Sequence, residues 1–352
     1  MGIPIVISAE CKIDTPNESI DTKIEQVLRG EGKKVVVLTI DSLSAGWDTS
    51  REDNHFRSGN APIEALERAY GLIARGNADC VVIYGRDHLK SDYKDAGGKE
   101  RRNKQMNIYH GTSIPEAYTR LAFEFMKIIG INAKNFREIT ASLFGNYIKT
   151  AKERGVFKQP EPERYELLTD LFRHVDCANP SVDFEGKIVL GNEEVAKIME
   201  IPENERVYLL SAKTSKLKED GPKNIPEIAE YNHLHRAYTE ASEQAGVDFK
   251  SLYLDRKALL EIYTCFPIVP LAFLLKAGIT SLEKIDDFLK HHEITVTGGM
   301  NLAKAPWNNP ALHASIVMIN RLKQEKNVDY GGIHGNGGLG YKQGFAIFGK
   351  ES

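Results

Sequence analysis

Cys265 and His334 are the residues whose types suit group-transfer chemistry. A thiol becomes a nucleophile when a neighbouring base or a helix N-terminus raises its thiolate fraction. Cys265 is followed by Phe266-Pro267 and an apolar run to Lys276, so it stands at the start of a helix. His334 leads the run Gly335-Asn336-Gly337-Gly338-Leu339-Gly340. Upstream lie Thr297-Gly298-Gly299 and the loop Pro306-Trp307-Asn308-Asn309-Pro310. Glycines spaced in this way let backbone N–H groups approach a ligand or another chain segment closely.

The elements that must position these groups have an α/β pattern. Val35 to Ile40 is a β-branched run that predicts a buried strand. Asp41 to Gly59 is polar and turn-rich. Asn60 and Pro62 then open a helix with Ile63, Leu66, Tyr70 and Ile73 on one face, ended by Gly76. Cys80 to Tyr84 predicts the next strand, with Cys80 as core filler. Pro115 to about Ile129 and Lys134 to Arg154 predict helices, and Pro160 to Arg164 a linker. A second pattern follows: a strand from Val207 to Ala212, a polar helix from Pro226 to Gln244 and a strand from Leu259 to Tyr263. After these come the apolar helix to Lys276, a short strand from Ile294 to Val296, a helix capped by Asn309, and a strand from Gly344 to Phe348.

The chain has 352 residues, 27% charged and 41% hydrophobic, with a net charge of −3. That suits a soluble α/β body and gives no electrostatic reason to bind nucleic acid. Met1 to Val6 lacks the pattern of a secretory leader, and no apolar run is long enough to span a bilayer. The four cysteines, Cys11, Cys80, Cys177 and Cys265, form no C-x-x-C. A zinc site or disulfide framework is therefore not expected, and a cytoplasmic location is. His291-His292-Glu293 reads as surface rather than metal site. Gly335 to Gly340 fits G-x-G-x-x-G but opens no β-α-β unit, so a dinucleotide site is not expected. Lys99 to Lys104 is either a solvated excursion or a basic surface for a phosphate-bearing cofactor.

Asn60-Ala61-Pro62-Ile63 and Cys265-Phe266-Pro267-Ile268 both begin helices inside strand-and-helix units. Read as an internal repeat, they give Asn60 and Cys265 corresponding places at helix N-termini, where the macrodipole favours an anion.

Tyr263-Thr264-Cys265-Phe266, the Gly298-Gly299 loop through Pro306, and Gly335-Asn336-Gly337-Gly338 together resemble the thiolase superfamily. The nearest likeness is to its sterol-carrier-protein-type, acetyl-CoA acetyltransferase-like branch. The resemblance covers nearly the whole chain and is strongest after about Asp255. It implies a five-layered α-β-α-β-α fold built from two similar halves. Residues 1–85 with 115–155 would form the N-terminal half, 86–114 and 156–204 excursions, and 205–352 the C-terminal half. It also implies coenzyme A thioester chemistry, no permanently bound cofactor, a homodimer, and association in some members with a small zinc-ribbon/OB-type protein.

The family's Cys-x-Ser-Gly motif falls on Phe56-Arg57-Ser58-Gly59, so Phe56 replaces the usual N-terminal-half nucleophilic cysteine. Ala305 replaces the histidine of its Gly-His-Pro loop, and Tyr263 the histidine of its four-residue motif. The mapping brings Cys265 and His334 together as a candidate catalytic pair. Cys265 is alternatively an inert hydrophobe beside Phe266, and His334 a histidine that fixes a strand end. Asn60, Tyr263, Asn308, His313, Asn336, Gly337 and Gly338 become candidate substrate contacts, with helix capping the competing role for Asn309. Two functions are expected: an acyl-CoA acyltransferase with a non-standard catalytic set, or a catalytically reduced thiolase-fold subunit that binds acyl-CoA or supports an active partner.

Overall fold

The computed structural model describes residues 2–43 and 53–350, so part of the turn-rich segment after Asp41 lies outside the described residues. Its strands are β1 (Ile5–Ile13), β2 (Val35–Ile40), β3 (His55–Phe56), β4 (Cys80–His88), β5 (Asp183–Gly191), β6 (Tyr208–Lys216), β7 (Ala258–Glu261), β8 (Tyr330–Gly337) and β9 (Lys342–Gly349). They form a sheet in the order β3-β2-β4-β5-β1-β6-β9-β8-β7.

The order repeats about the β1–β6 junction. In one half β1 pairs antiparallel with β5, β5 antiparallel with β4, and β4 parallel with β2. In the other, β6 pairs with β9, β9 with β8 and β8 with β7 in the same senses. Even the register break recurs, between Val6 and Ser8 in β1 and between Leu209 and Ser211 in β6.

Strand alternation sorts the side chains into layers. Ile5, Ile7, Cys80, Val82 and Val189 face an outer cluster with Leu28 and Val195, from helices Lys23–Gly30 and Glu193–Ile198. The intervening Val6, Val81, Ile83, Ile188 and Leu190 face a middle cluster shared with helices Ala61–Ala74 and Pro310–Gln324. From the second half, Leu209, Ile333, Ala346 and Phe348 face the same middle cluster. Leu210, Leu260, Phe345 and Ile347 face away from it, into a cluster with Phe125, Phe249 and Phe273. The result is helix, sheet, paired helices, sheet, helix. The all-apolar helix Ile268–Lys276 belongs to the last layer. Each of its fully buried Leu and Phe side chains contributes about 1.5–3 kcal/mol.

The structure corrects the expected alignment of the repeat. The helix between β3 and β4 is Ala61–Ala74, and the helix before β8, which corresponds to β4, is Pro310–Gln324. Asn60 therefore corresponds to Asn309, the residue before that helix, and not to Cys265, which follows β7. Contacts bear this out. A Cβ at Gly335, paired with Gly344 across β8 and β9, would lie 2.5 Å from Asn60 Oδ1. A Cβ at Gly85, paired with Gly186 across β4 and β5, would overlap Asn309 Oδ1. Only glycine pairs let these amides lie flat on the strands.

Other expectations also shift. The first half of the glycine run after His334, Gly335 to Gly337, is strand, and the rest is a tight turn with Gly338 at φ 60° and Gly340 at φ 110°. Composition signalled a loop, but pairing with β9 uses the small residues for close packing. Asp183–Gly191, inside a segment read as an excursion, is a fully buried strand in the sheet. The polar helix from Pro226 is broken at Tyr231, φ 51°, into Ile225–Ala229 and Asn232–Ala245. Ile294 to Val296 forms no strand and keeps one sheet-like bond, from Ile262 N–H to the Ile294 carbonyl (2.9 Å).

Residues 89–182 connect β4 to β5, where β8 and β9 are joined by a short turn. This insertion carries helices Ile114–Ile129 and Ala133–Glu153. The first is fixed by a Ser113–Glu116 capping box and by Gly130 at φ 72°. Its apolar face, with Tyr118, Leu121 and Phe125, packs into the cluster over the second half.

Candidate functional site

A cavity of about 330 Å³ lies where the insertion meets the end of the β8–β9 hairpin. Met106, Ile108, Tyr109, Ile114, Pro115 and Tyr118 line it from the insertion, with Arg164, Leu168, His174 and Cys177 further along. Tyr263, Cys265, Phe266, Met300, Ala305, Trp307, Asn336 and Gly338 line it from the second half, and Gly59 from the first. Its walls are mostly apolar, as small-molecule sites are.

A polar network forms the inner wall. Tyr118 Oη donates to the Gly338 carbonyl (2.7 Å) and accepts from Asn336 Nδ2 (3.1 Å). The Cys265 thiol lies 3.5 Å from the same oxygen. Gln343 Nε2 donates to Asn336 Oδ1 (2.7 Å) and to the Gly340 carbonyl (2.8 Å). Gln343 Oε1 can then only accept, so His334 Nε2 carries the proton in their 2.7 Å bond. His334 Nδ1 is left to accept from the Tyr263 N–H (3.4 Å). The imidazole is neutral, because burial pushes its pKa down to about 4.

The expected Cys265–His334 pair is not made. Both ring nitrogens of His334 are engaged elsewhere, and its ring packs on Phe273 with centroids 4.6 Å apart. Burial pushes the Cys265 thiol up to about 12, and the side chain it bonds to is a neutral tyrosine. Cys265 lies in the link between Glu261 and the helix Ile268–Lys276, and the backbone N–H groups there only partly offset that burial.

Of the other candidates, Tyr263, Asn336 and Gly338 line the cavity. Asn308 braces two loops instead, accepting from Ser58 N–H (3.2 Å) and donating to the Asp41 carbonyl (2.8 Å). Gly337 packs on Ser58, whose Oγ would lie 2.7 Å from a Cβ there. Asn60 is buried on Gly335 and Gly344, donating to Glu64 Oε1 (3.3 Å). His313 is buried against Phe184, centroids 5.9 Å apart, and desolvation lowers its pKa to about 4. Asn309 makes no side-chain cap, because its amide lies on the strands.

Phe56 pairs in β3 and packs toward the middle cluster, while Gly59, three residues on, reaches the cavity. The cysteines lining the cavity are Cys177 and Cys265. Tyr118, Arg164, Cys177 and Gln343 were not legible as site residues. Tyr118 reads as part of an apolar helix face, and the insertion's place over the second half has no local signal. Glu261 has a supporting role at the end of β7. Its carboxylate takes the N–H of Val296 and of Thr297 (2.5 and 2.9 Å) and the Thr297 hydroxyl (2.6 Å), which fixes the loop leading to Met300. Among the described residues no group of three His, Cys, Asp or Glu is placed to hold a metal. No helix among them is long and apolar enough to cross a membrane.

No protein-family model and no curated protein sequence matches the chain. Solved structures do. A monomeric SCP2-thiolase-like protein type 1 from Mycobacterium smegmatis superposes with a TM-score of 0.72 at 19% identity, over 99% of this chain and 78% of its own. The fold is thiolase-like. An Ltp2-ChsH2(DUF35) aldolase superposes with a TM-score of 0.63 at 13% identity, over 100% of this chain and 99% of that one. The five layers and the two matching halves are those expected from the thiolase resemblance.

Proposed function

We propose that this thiolase-fold protein binds an acyl-CoA thioester in the cavity and holds it without forming an acyl-cysteine. Tyr263 carries the reading. Tyr263 lines the cavity, and its hydroxyl, which lies against Gly59, makes no hydrogen bond among the described residues. Burial holds the phenol well above its ordinary pKa, so it stays neutral and donates. A carbonyl oxygen placed beside it would gain the hydrogen bond that it lacks. The absence of a cysteine at Phe56 and the desolvated state of Cys265 favour the catalytically reduced function over the acyltransferase. Incubation with acetyl-CoA and longer acyl-CoAs, followed by intact-mass spectrometry, is expected to give no covalent adduct, with reversible binding by calorimetry. An adduct lost in Cys265→Ser would restore the acyltransferase reading and sink this one.

A second reading makes the chain one subunit of a complex with a small zinc-ribbon/OB-type partner. It is favoured by the similar structure that joins Ltp2 to a DUF35 protein. Co-expression with such a partner, followed by size-exclusion chromatography, tests it; the same column reports whether the chain alone is the expected homodimer.

A further inference from the structure

We infer that the cavity takes a ligand bearing an oxyanion group, a carboxylate or a phosphate, and that Arg164 recognises it. The inference rests on the binding reading above and names the chemistry of one end of the ligand. Among the described residues no Asp, Glu or Lys lines the cavity, and Arg164 is the guanidinium that does. It comes from the 3-10 turn Pro162–Tyr165 in the insertion. One guanidinium nitrogen, Nη2, donates to the His174 carbonyl (3.0 Å), which fixes the group at the cavity edge. Nε and Nη1 have no hydrogen-bond or ion-pair partner among the described residues, although Glu161, Glu163 and Glu166 are its near neighbours in sequence.

The charge also reaches inward. Its field lowers the Cys177 thiol against the larger upward push of burial. An anchored guanidinium with free N–H groups beside apolar walls favours an anion attached to an apolar body.

The test uses the full chain and four probes: octanoate, octanol, octanoyl-pantetheine and octanoyl-CoA. At low salt, octanoate is expected to bind roughly tenfold more tightly than octanol, as a charge-assisted hydrogen bond allows. Arg164→Gln should erase that preference and Arg164→Lys should keep part of it, with unchanged thermal unfolding. If octanoate and octanol bind alike but octanoyl-CoA alone weakens in Arg164→Gln, the recognised oxyanion is a phosphate. Equal binding of all probes by Arg164→Gln and wild type overturns the inference, as does binding of none. Octanoate binding without either thioester would leave the inference standing and overturn the acyl-thioester reading.

Discussion

His334 with Gln343 in the second half and Tyr84 with Glu185 in the first occupy the same station. Counting from the glycine pairs Gly335–Gly344 and Gly85–Gly186, each partner is one residue away on its strand. Both pairs are hydrogen-bonded, at 2.7 Å and 3.2 Å. In the second, Tyr84 is half-buried and Glu185 is buried, and the pair carries a carboxyl group. The first is buried, neutral, and linked through Asn336 to Tyr118. The same scaffold thus gives a part-buried pair with a carboxyl group on one side and a neutral cavity wall on the other. The insertion after β4 makes the difference, since its helices cover the second half.

The largest expected effect is the acid sensitivity that two buried histidines of the second half confer. His334 and His313 stand where the first half has Tyr84 and Glu64. Burial lowers both histidines from about 6.5 to about 4. The unfolded chain therefore binds more protons between those values, and stability is lost as pH falls through that window. Each group accounts for about 3 kcal/mol. Glu261, raised to about 7, and Asp87, raised to about 8, act in the opposite sense: their contribution is lost as pH rises. The difference between wild type and His313→Leu, followed by urea unfolding from pH 7 to 4, isolates the histidine. A flat difference would remove the contrast.

Next in size is Gly335→Ala, expected to cost about 3 kcal/mol as its Cβ meets the Asn60 amide. Asn60→Ala should suppress part of that loss, and so should Asn309→Ala in a Gly85→Ala background. Failure of both rescues would break the correspondence of the halves. Gln343→Leu leaves His334 Nε2–H and Asn336 Oδ1 unpaired and should cost about 2 kcal/mol by thermal unfolding. Tyr263→Phe should weaken acyl-thioester binding roughly tenfold without a change in melting. Tyr84→Phe, at the part-buried station, should cost about 1 kcal/mol.

Much of the fold was legible. Val35 to Ile40 was a strand to the residue, and the helices near Asn60 and Pro115 began where their prolines placed them, although the Asn60 side chain makes no cap bond. β8 was not, because Gly335 and Gly337 lack the side chains that signal a strand. They are small because Asn60 and Ser58 occupy the space above them. Of the residues singled out from sequence, Tyr263, Cys265, Asn336 and Gly338 line the cavity, whereas His334 bonds to Gln343 and Tyr263 and not to Cys265.

Local chemistry determined where chains of apolar residues turn into helices and strands, since periodicity and capping act over a few residues. It also determined which residues are capable of chemistry. Tertiary structure decided what those residues are. Burial left Cys265 a neutral thiol, Gln343 claimed the proton of His334, and the insertion brought Tyr118 and Arg164 to the same cavity. These are effects of desolvation and long-range contact, which no spacing in the sequence encodes.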